Sequence, residues 1–473
     1  MDTNATFAPD LPPLPSYELR PLPPLLPWIS DQNLALALPV VAYWLVSGIF
    51  HIIDELDLFP KYRLHTPAEI LMRNHATRWE VFRDVIVQQI IQTLVGMALA
   101  FVDGPEMYGK EEYDIAVWAQ RIRLAQRAIP PLLGLLGFNA SLLSKRFAPS
   151  IPGLAGALAG GHYPSLEQLV SINGRAVTAP AFARWELLCA NAIYHFLIPA
   201  IQFLVAIIVV DTWQYFWHRG MHLNKYLYTA FHSRHHRLYV PYAYGALYNH
   251  PVEGFLLDTL GAGVAYLVSA MTTRQSMWFF TLSSIKTVDD HCGYALPWDP
   301  LQHITSNNAS YHDIHHQSWG IKNNFSQPFF TFWDGLMGTT WNGGDVTARY
   351  ERAKRAAEAW VGKEKSGSED VMGGKVATAE EMKADEGGRP EEDLKRVQTL
   401  PPTGKATAQT VLSRKQVLPD SNPGAGSRRA LREEAVEERE EKENIPPRRK
   451  SPRKKPVKTG INGHVGMQIV DNR

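Results

Sequence analysis

The sequence predicts an all-α fold: a polytopic membrane helical bundle with a histidine-rich cap on its cytosolic side and a disordered C-terminal tail. Three observations carry that expectation. Apolar runs of membrane-crossing length recur through the first three-quarters of the chain. Histidines cluster in three groups between Asp211 and Trp341. The residues after about Thr347 are charged and poor in large apolar side chains.

The first 30 residues are proline-rich, with Pro9, Pro12, Pro13, Pro15, Pro21, Pro23, Pro24 and Pro27. No basic stretch leads into an apolar core there, so the segment reads as an extended cytosol-side lead-in rather than a cleaved signal peptide. Leu34 to Ile53 matches the roughly 20 residues that a spanning helix needs, and Asp54, Glu55 and Asp57 mark its exit. Val85 to Val102 is a second candidate, interrupted by Gln88, Gln89 and Gln92, which either line a bundle interior or place the helix partly in the interface. Ala128 to Leu143 begins with Pro130 and Pro131 and reads as re-entrant or interfacial, and Pro152 to Gly161 reads as a loop.

Leu187 to Val210 is the strongest span and runs straight into Asp211, Tyr215, His218 and His222. Phe255 to Ala270 and Ser276 to Val288 then form a helical hairpin around a Thr-Thr-Arg-Gln turn. That hairpin returns the chain to the side it left, so His291 and the last histidine group share a side with the first two. Arg219, Lys225, Arg234, Arg237 and Lys322 flank the groups, and the positive-inside rule puts that side in the cytosol.

Composition excludes several classes. The net charge of +1 over 473 residues gives no electrostatic bias towards nucleic acid. Two cysteines, Cys189 and Cys292, provide neither a disulfide framework nor a metal knuckle.

The histidines carry the chemistry. His218 and His222 are four apart; His232, His235 and His236 stand at i, i+3 and i+4, as do His312, His315 and His316. On a helix those spacings share one face. With His291 they make nine imidazoles, too many for one ion and about right for two, so the cap is a di-metal cap. Imidazole suits zinc, copper, iron and nickel, and spacing alone does not choose among them. His250, in Asn249-His250-Pro251, is a weaker candidate for ligation, a supporting contact or a substrate contact. Asp211, Asp289 and Asp313 are placed to orient ligand imidazoles.

The pattern Asp211-xxx-Tyr215-xx-His218-Arg219-xx-His222, with His232-xx-His235-His236, His312-xx-His315-His316 and the closing Phe332-Trp333-Asp334-xxx-Gly338-Thr339, resembles the membrane fatty acid hydroxylase superfamily. Phe50-His51-Ile52-Ile53-Asp54, the run from Leu58 to Glu69, and Val87-Gln88-Gln89 look like the fungal sphinganine C4-hydroxylases. The resemblance covers about Ser30 to Trp341. It implies a non-haem di-iron monooxygenase with the nine histidines above as ligands. It implies hydroxylation of a long-chain base (sphinganine or dihydroceramide) to phytosphingosine or phytoceramide by O2. It further implies electrons from NADPH or NADH through cytochrome b5 and its reductase, and residence in the endoplasmic reticulum membrane. The rival readings are a sterol C-5 desaturase or C-4 methyl sterol oxidase of the same superfamily, and a non-catalytic membrane metal carrier.

Three zones result: a lead-in over 1–30, a membrane hydroxylase domain over 31–345 with its core at 211–341, and a disordered charged tail over 346–473. In that tail Glu351 to Val361 reads as a short helix.

Overall fold

The computed structural model describes residues 11–101, 104–172 and 175–373. The chain runs through β1 (Arg20–Pro21), α1 (Asp31–Glu55), α2 (Pro67–Arg73), α3 (Arg78–Ala100), β2 (Met107–Tyr108), α4 (Glu111–Gln126), α5 (Ile129–Leu135), α6 (Ala140–Phe147) and α7 (Pro152–Leu158). Strands β3 (Glu167–Ile172) and β4 (Arg175–Pro180) precede α8 (Arg184–Ala192), a π-helical turn at Ile193–Leu197, and α9 (Ile198–Leu223). Then come α10 (Lys225–Ala230), a 3-10 segment at His232–Arg237, α11 (Pro251–Gly254), a π-helical turn at Phe255–Thr259, and α12 (Leu260–Ser269). The remainder is α13 (Thr273–Asp290), α14 (Leu301–Ile304), α15 (Ala309–His316), α16 (Phe332–Met337) and α17 (Val346–Gly373).

Local chemistry sets the helix starts. Ser30 and Thr77 cap α1 and α3 by accepting the backbone N–H of Asn33 and Glu80. Thr66 with Glu69, and Thr272 with Gln275, form capping boxes on α2 and α13. Gly338, at φ 67°, ends α16 in the left-handed region that glycine enters without strain.

Among the described residues, three segments are long and apolar enough to cross a membrane: Asp31–Glu55, Arg184–Leu223 and Pro251–Ser269. They contain the expected Leu34–Ile53 and Leu187–Val210 runs and nearly all of Phe255–Ala270. The expected spans Val85–Val102 and Ser276–Val288 fall largely within α3 and α13, which lie outside that class. Their polar side chains turn inwards, with Asp84, Gln88 and Gln89 of α3 and Lys286, Asp289 and Asp290 of α13 all buried. The opposite pattern holds on α1, where Val41, Leu45, Ile49 and Ile52 are exposed, as befits a surface solvated by lipid.

The bundle has two distinct ends. Helices α1 and α13 run parallel: Arg274 Nε bonds Asp31 at their starts (2.8 Å), and the Tyr294 hydroxyl donates to Asp54 at their finish (2.9 Å). Helix α3 runs back between those ends. Arg78 at its start pairs with Glu55, and Leu36 packs on Gly96 near its finish. Helices α9 and α12 are antiparallel, tied by Gln202 to the Ala270 carbonyl (2.7 Å) and by Trp213 to the Leu256 carbonyl (2.8 Å). The C-terminal ends of α1, α9 and α13 therefore gather at one end, and the histidines lie there.

Four readings need correction. The lead-in, expected on the same, cytosolic side as the histidines, is not there over its residues 20–30. Strand β1 pairs with β2 just after α3, and Arg274 holds the Pro23 carbonyl (2.6 Å), so residues 20–31 sit at the opposite end. Pro152–Gly161 is helical rather than loop over α7, with proline at its first turn where no amide hydrogen is missed. The 3-10 geometry of His232–Arg237 replaces the α-helix assumed for the second histidine group. The chain also does not lose structure at residue 346. Helix α17 packs on α2, buries Ala357, and hydrogen-bonds Tyr350 to Asp313 (2.6 Å). The rest of the expected tail, 374–473, lies outside the described residues.

Candidate metal centre

Helix α9 ends with His218 and His222 one turn apart, and the 3-10 segment and α15 bring the other two groups against them. His291 caps the C-terminus of α13. All nine predicted histidines converge, and they sort into two sets. His218, His222, His232, His236 and His315 form one; His235, His291, His312 and His316 form the other, with the candidate ligand nitrogens of each set within 4.8 Å of one another. Both HxxHH groups split the same way. Positions i and i+4 enter one set and position i+3 enters the other, so each group links both sets.

The imidazoles are held from behind. The Nδ1–H of His218 donates to the Phe325 carbonyl (2.8 Å), that of His291 to Thr287 (2.8 Å), that of His315 to Asn323 (2.7 Å) and that of His316 to Leu238 (2.9 Å). His235 reaches the Tyr248 carbonyl at 3.3 Å, and His232 Nδ1 lies 2.5 Å from a Glu253 oxygen. Because a carbonyl only accepts, each of the carbonyl bonds fixes the proton on Nδ1 and leaves Nε2 as a lone pair.

Those Nε2 atoms crowd each other. His222 to His232 is 2.8 Å, His232 to His236 is 3.0 Å, and His312 lies 3.1 Å from both His291 and His316. Ring nitrogens gathered this closely form a ready set of metal donors, and the Nε2 atoms of His218 and His315 are buried with no hydrogen-bond partner. The donor set therefore fits two metal ions. Burial pushes the His232, His235 and His291 pKa values down to about 3, and those of His312, His315 and His316 fall well below the ordinary value for the same first reason. The rings are neutral, as metal ligation requires.

The other predicted residues take different roles. Asp211 does not orient an imidazole. Its carboxylate accepts the backbone N–H groups of Phe329 and Phe330 (3.1 and 2.9 Å) and pins the irregular segment that follows Phe325. Asp289 accepts from Gln302 (3.2 Å), and Asp313 accepts from His65, Tyr350 and Gln317, so neither touches a ligand ring. His250 caps α11 by accepting the Val252 N–H and stands outside both sets. In each case a carboxylate or ring near the histidines in sequence finds a backbone donor or another partner that is closer in space.

Sequence reading missed a carboxyl group that contacts a candidate ligand ring, Glu253 against His232. Its signal was the His250-Pro251-Val252-Glu253 capping box, which reads as a helix start and gives no hint of His232. It also assigned no chemistry to His65. That ring donates from Nδ1 to Glu69 (2.9 Å) and from Nε2 to Asp313 (3.0 Å). Burial pulls its pKa down, but Asp313 and Glu69 outweigh burial and hold it up at about 9. A buried imidazolium thus ties α2 to α15, directly behind the third histidine group. Asp334 was quoted as part of a closing motif; it accepts the Phe325 and Ser326 N–H groups and steadies the carbonyl that holds His218.

Comparison with known proteins gives a consistent picture. The fatty acid hydroxylase family model matches residues 203–339. A sphingolipid C4-hydroxylase of Saccharomyces cerevisiae is 44% identical over 338 residues, which is 72% of this chain and 80% of that one. A sphingolipid C4-hydroxylase of Schizosaccharomyces pombe is 41% identical over 70% of this chain and 95% of its own. Sphinganine C4-monooxygenase 1 of Arabidopsis thaliana is 39% identical over 66% of this chain and 88% of its own. No solved structure matches.

Proposed function

The chain belongs to the fatty acid hydroxylase family, and on that premise we propose that it is a membrane-bound sphingolipid C4-hydroxylase that converts sphinganine to its 4-hydroxy product, phytosphingosine. The observation that carries this reading is the convergence of nine neutral imidazoles from four separate chain segments into two ligand sets at one end of a membrane bundle.

The residues present fit two non-haem iron ions, one in each histidine set. When bound, iron supplies the activation of O2 needed to oxidise an unactivated C–H bond, with two electrons from an external donor and release of water. The chain's own contribution is positional. Carbonyls and Glu253 hold six of the nine rings from behind, so much of the ligand geometry is set before any ion arrives. Eight of the nine rings are buried, which keeps bulk water from the ligand nitrogens. We assign the electron supply to NADPH or NADH through cytochrome b5 and its reductase, and residence to the endoplasmic reticulum membrane with the histidine end in the cytosol. Lys225, Lys322 and Arg219 at that end support the orientation. Arg234 and Arg237 weigh less there, because they pair with Asp84 and Glu80.

The test is expression in cells lacking C4-hydroxylated long-chain bases, with lipid profiling and iron analysis of the purified protein. Restored 4-hydroxylated bases and about two irons per chain are expected. Altered sterol precursors with no change in long-chain bases would refute the reading.

A further inference from the structure

A cavity opens beside the histidines. His218, His235 and His291 form part of its wall, and Gln214, Asn249 and Asp258 form another. It holds about 30 Å³ of water-sized space, the scale of a small polar group rather than of an alkyl chain.

Asp258 is unusual in its place. It lies in the π-helical turn Phe255–Thr259, inside a segment apolar enough to cross a membrane. Turns of this kind recur at functional sites, and an ionisable group inside such a segment demands a reason. Its carboxylate accepts from Gln88 Nε2 (2.9 Å), Asn249 Nδ2 (3.3 Å) and Gln214 Nε2 (3.4 Å), three neutral donors from three parts of the chain. Among the described residues no lysine or arginine forms an ion pair with it. The packing is built for this approach: a Cβ on Gly254 would fall 1.8 Å from Gln88 Oε1, so glycine there admits the amide. The other two acids on the cavity wall are already engaged, Glu253 by His232 and Asp290 by Lys286.

The chemistry of the substrate completes the argument, which rests on the functional reading above. A free long-chain base carries its ammonium at carbon 2 and reacts at carbon 4. The counter-charge for that ammonium must therefore share a cavity with the metal ligands. A desolvated carboxylate held only by amides gains most from a cation. We propose that Asp258 binds the ammonium of the free base, and so makes this enzyme select free long-chain bases over N-acylated ones, whose nitrogen is neutral and bulky.

The test uses the full-length protein in vesicles with its electron donors, comparing sphinganine with N-acetylsphinganine for wild type and Asp258→Asn. The asparagine keeps the shape and removes the charge. The expected result is a roughly tenfold rise in KM for sphinganine, with KM for the acetylated base and the iron content unchanged. An unchanged KM for sphinganine in a variant of normal iron content would overturn the proposal. Should the variant not accumulate, competition between the two substrates on wild type decides. Preference for sphinganine supports the role of Asp258, and equal or better use of the acetylated base overturns it. Turnover of neither by wild type overturns the functional reading itself, whereas turnover without discrimination overturns the role of Asp258 alone.

Discussion

His315 and His316 are adjacent in the chain, yet their ring nitrogens serve different ligand sets. His315 joins four other histidines and His316 joins three. The sets should therefore differ in tolerance. His316→Ala leaves three imidazoles in its set and should lower iron from about two per chain to about one. His315→Ala leaves four and should retain more iron, while both variants lose turnover. Equal iron loss in the two variants, by elemental analysis, would argue against two separate sets.

Among the described residues, Glu253 is the carboxylate that holds one of the proposed ligand rings, that of His232. Glu253→Gln keeps the size but weakens the acceptor. Loss of such a partner typically costs 10–100-fold in metal affinity or activity, and about that range is expected here. Chelator competition measures it. Asp289→Asn, which alters no ligand contact, should leave affinity within about twofold.

The buried imidazolium of His65 makes a stability prediction with a definite sign. Its folded pKa is raised to about 9 from 6.5. Its contribution is therefore complete below pH 6.5 and disappears as pH rises through 9. The stability difference between wild type and His65→Gln should shrink across that window by ~1–3 kcal/mol. Chemical denaturation at pH 6, 7.5 and 9 follows it, and a difference that does not vary with pH would show that the ring is neutral.

The proposed ligand histidines predict the reverse behaviour in the chelated protein. Burial holds His235 and His291 near pKa 3, below the unfolded value of 6.5. Unfolding then takes up protons as pH falls below 6.5, so stability drops towards pH 3, by up to roughly 1.4 kcal/mol per pH unit for each ring. The iron-loaded protein should resist this until protons displace the metal. Thermal melts of both forms between pH 7 and 5 should diverge on acidification.

Asp211 ties α9 to the backbone of Phe329 and Phe330. Asp211→Ala leaves two amide hydrogens unsatisfied and should cost ~2–4 kcal/mol. Because that segment also supplies the Phe325 carbonyl to His218, iron content should fall with stability.

The sequence by itself determined the helical class, the principal apolar spans and the identity of the eight clustered histidines, with His291 added as an isolated ninth. Those features are local: an apolar run has a length, and HxxHH has a period. The division of each HxxHH between two ligand sets was decided only by the tertiary structure, because it depends on how α9, α13, α15 and the 3-10 segment approach one another. The supporting contacts were illegible for the same reason. Glu253 meets His232 across 21 residues, and His65 meets Asp313 across 248. The carboxylates nearest the histidines in sequence proved to hold backbone or other side chains instead. Composition alone puts the proline-rich lead-in on the side of the histidines. Its pairing with β2 and with Arg274 decided otherwise, since a hydrogen bond is chosen by proximity in space rather than along the chain.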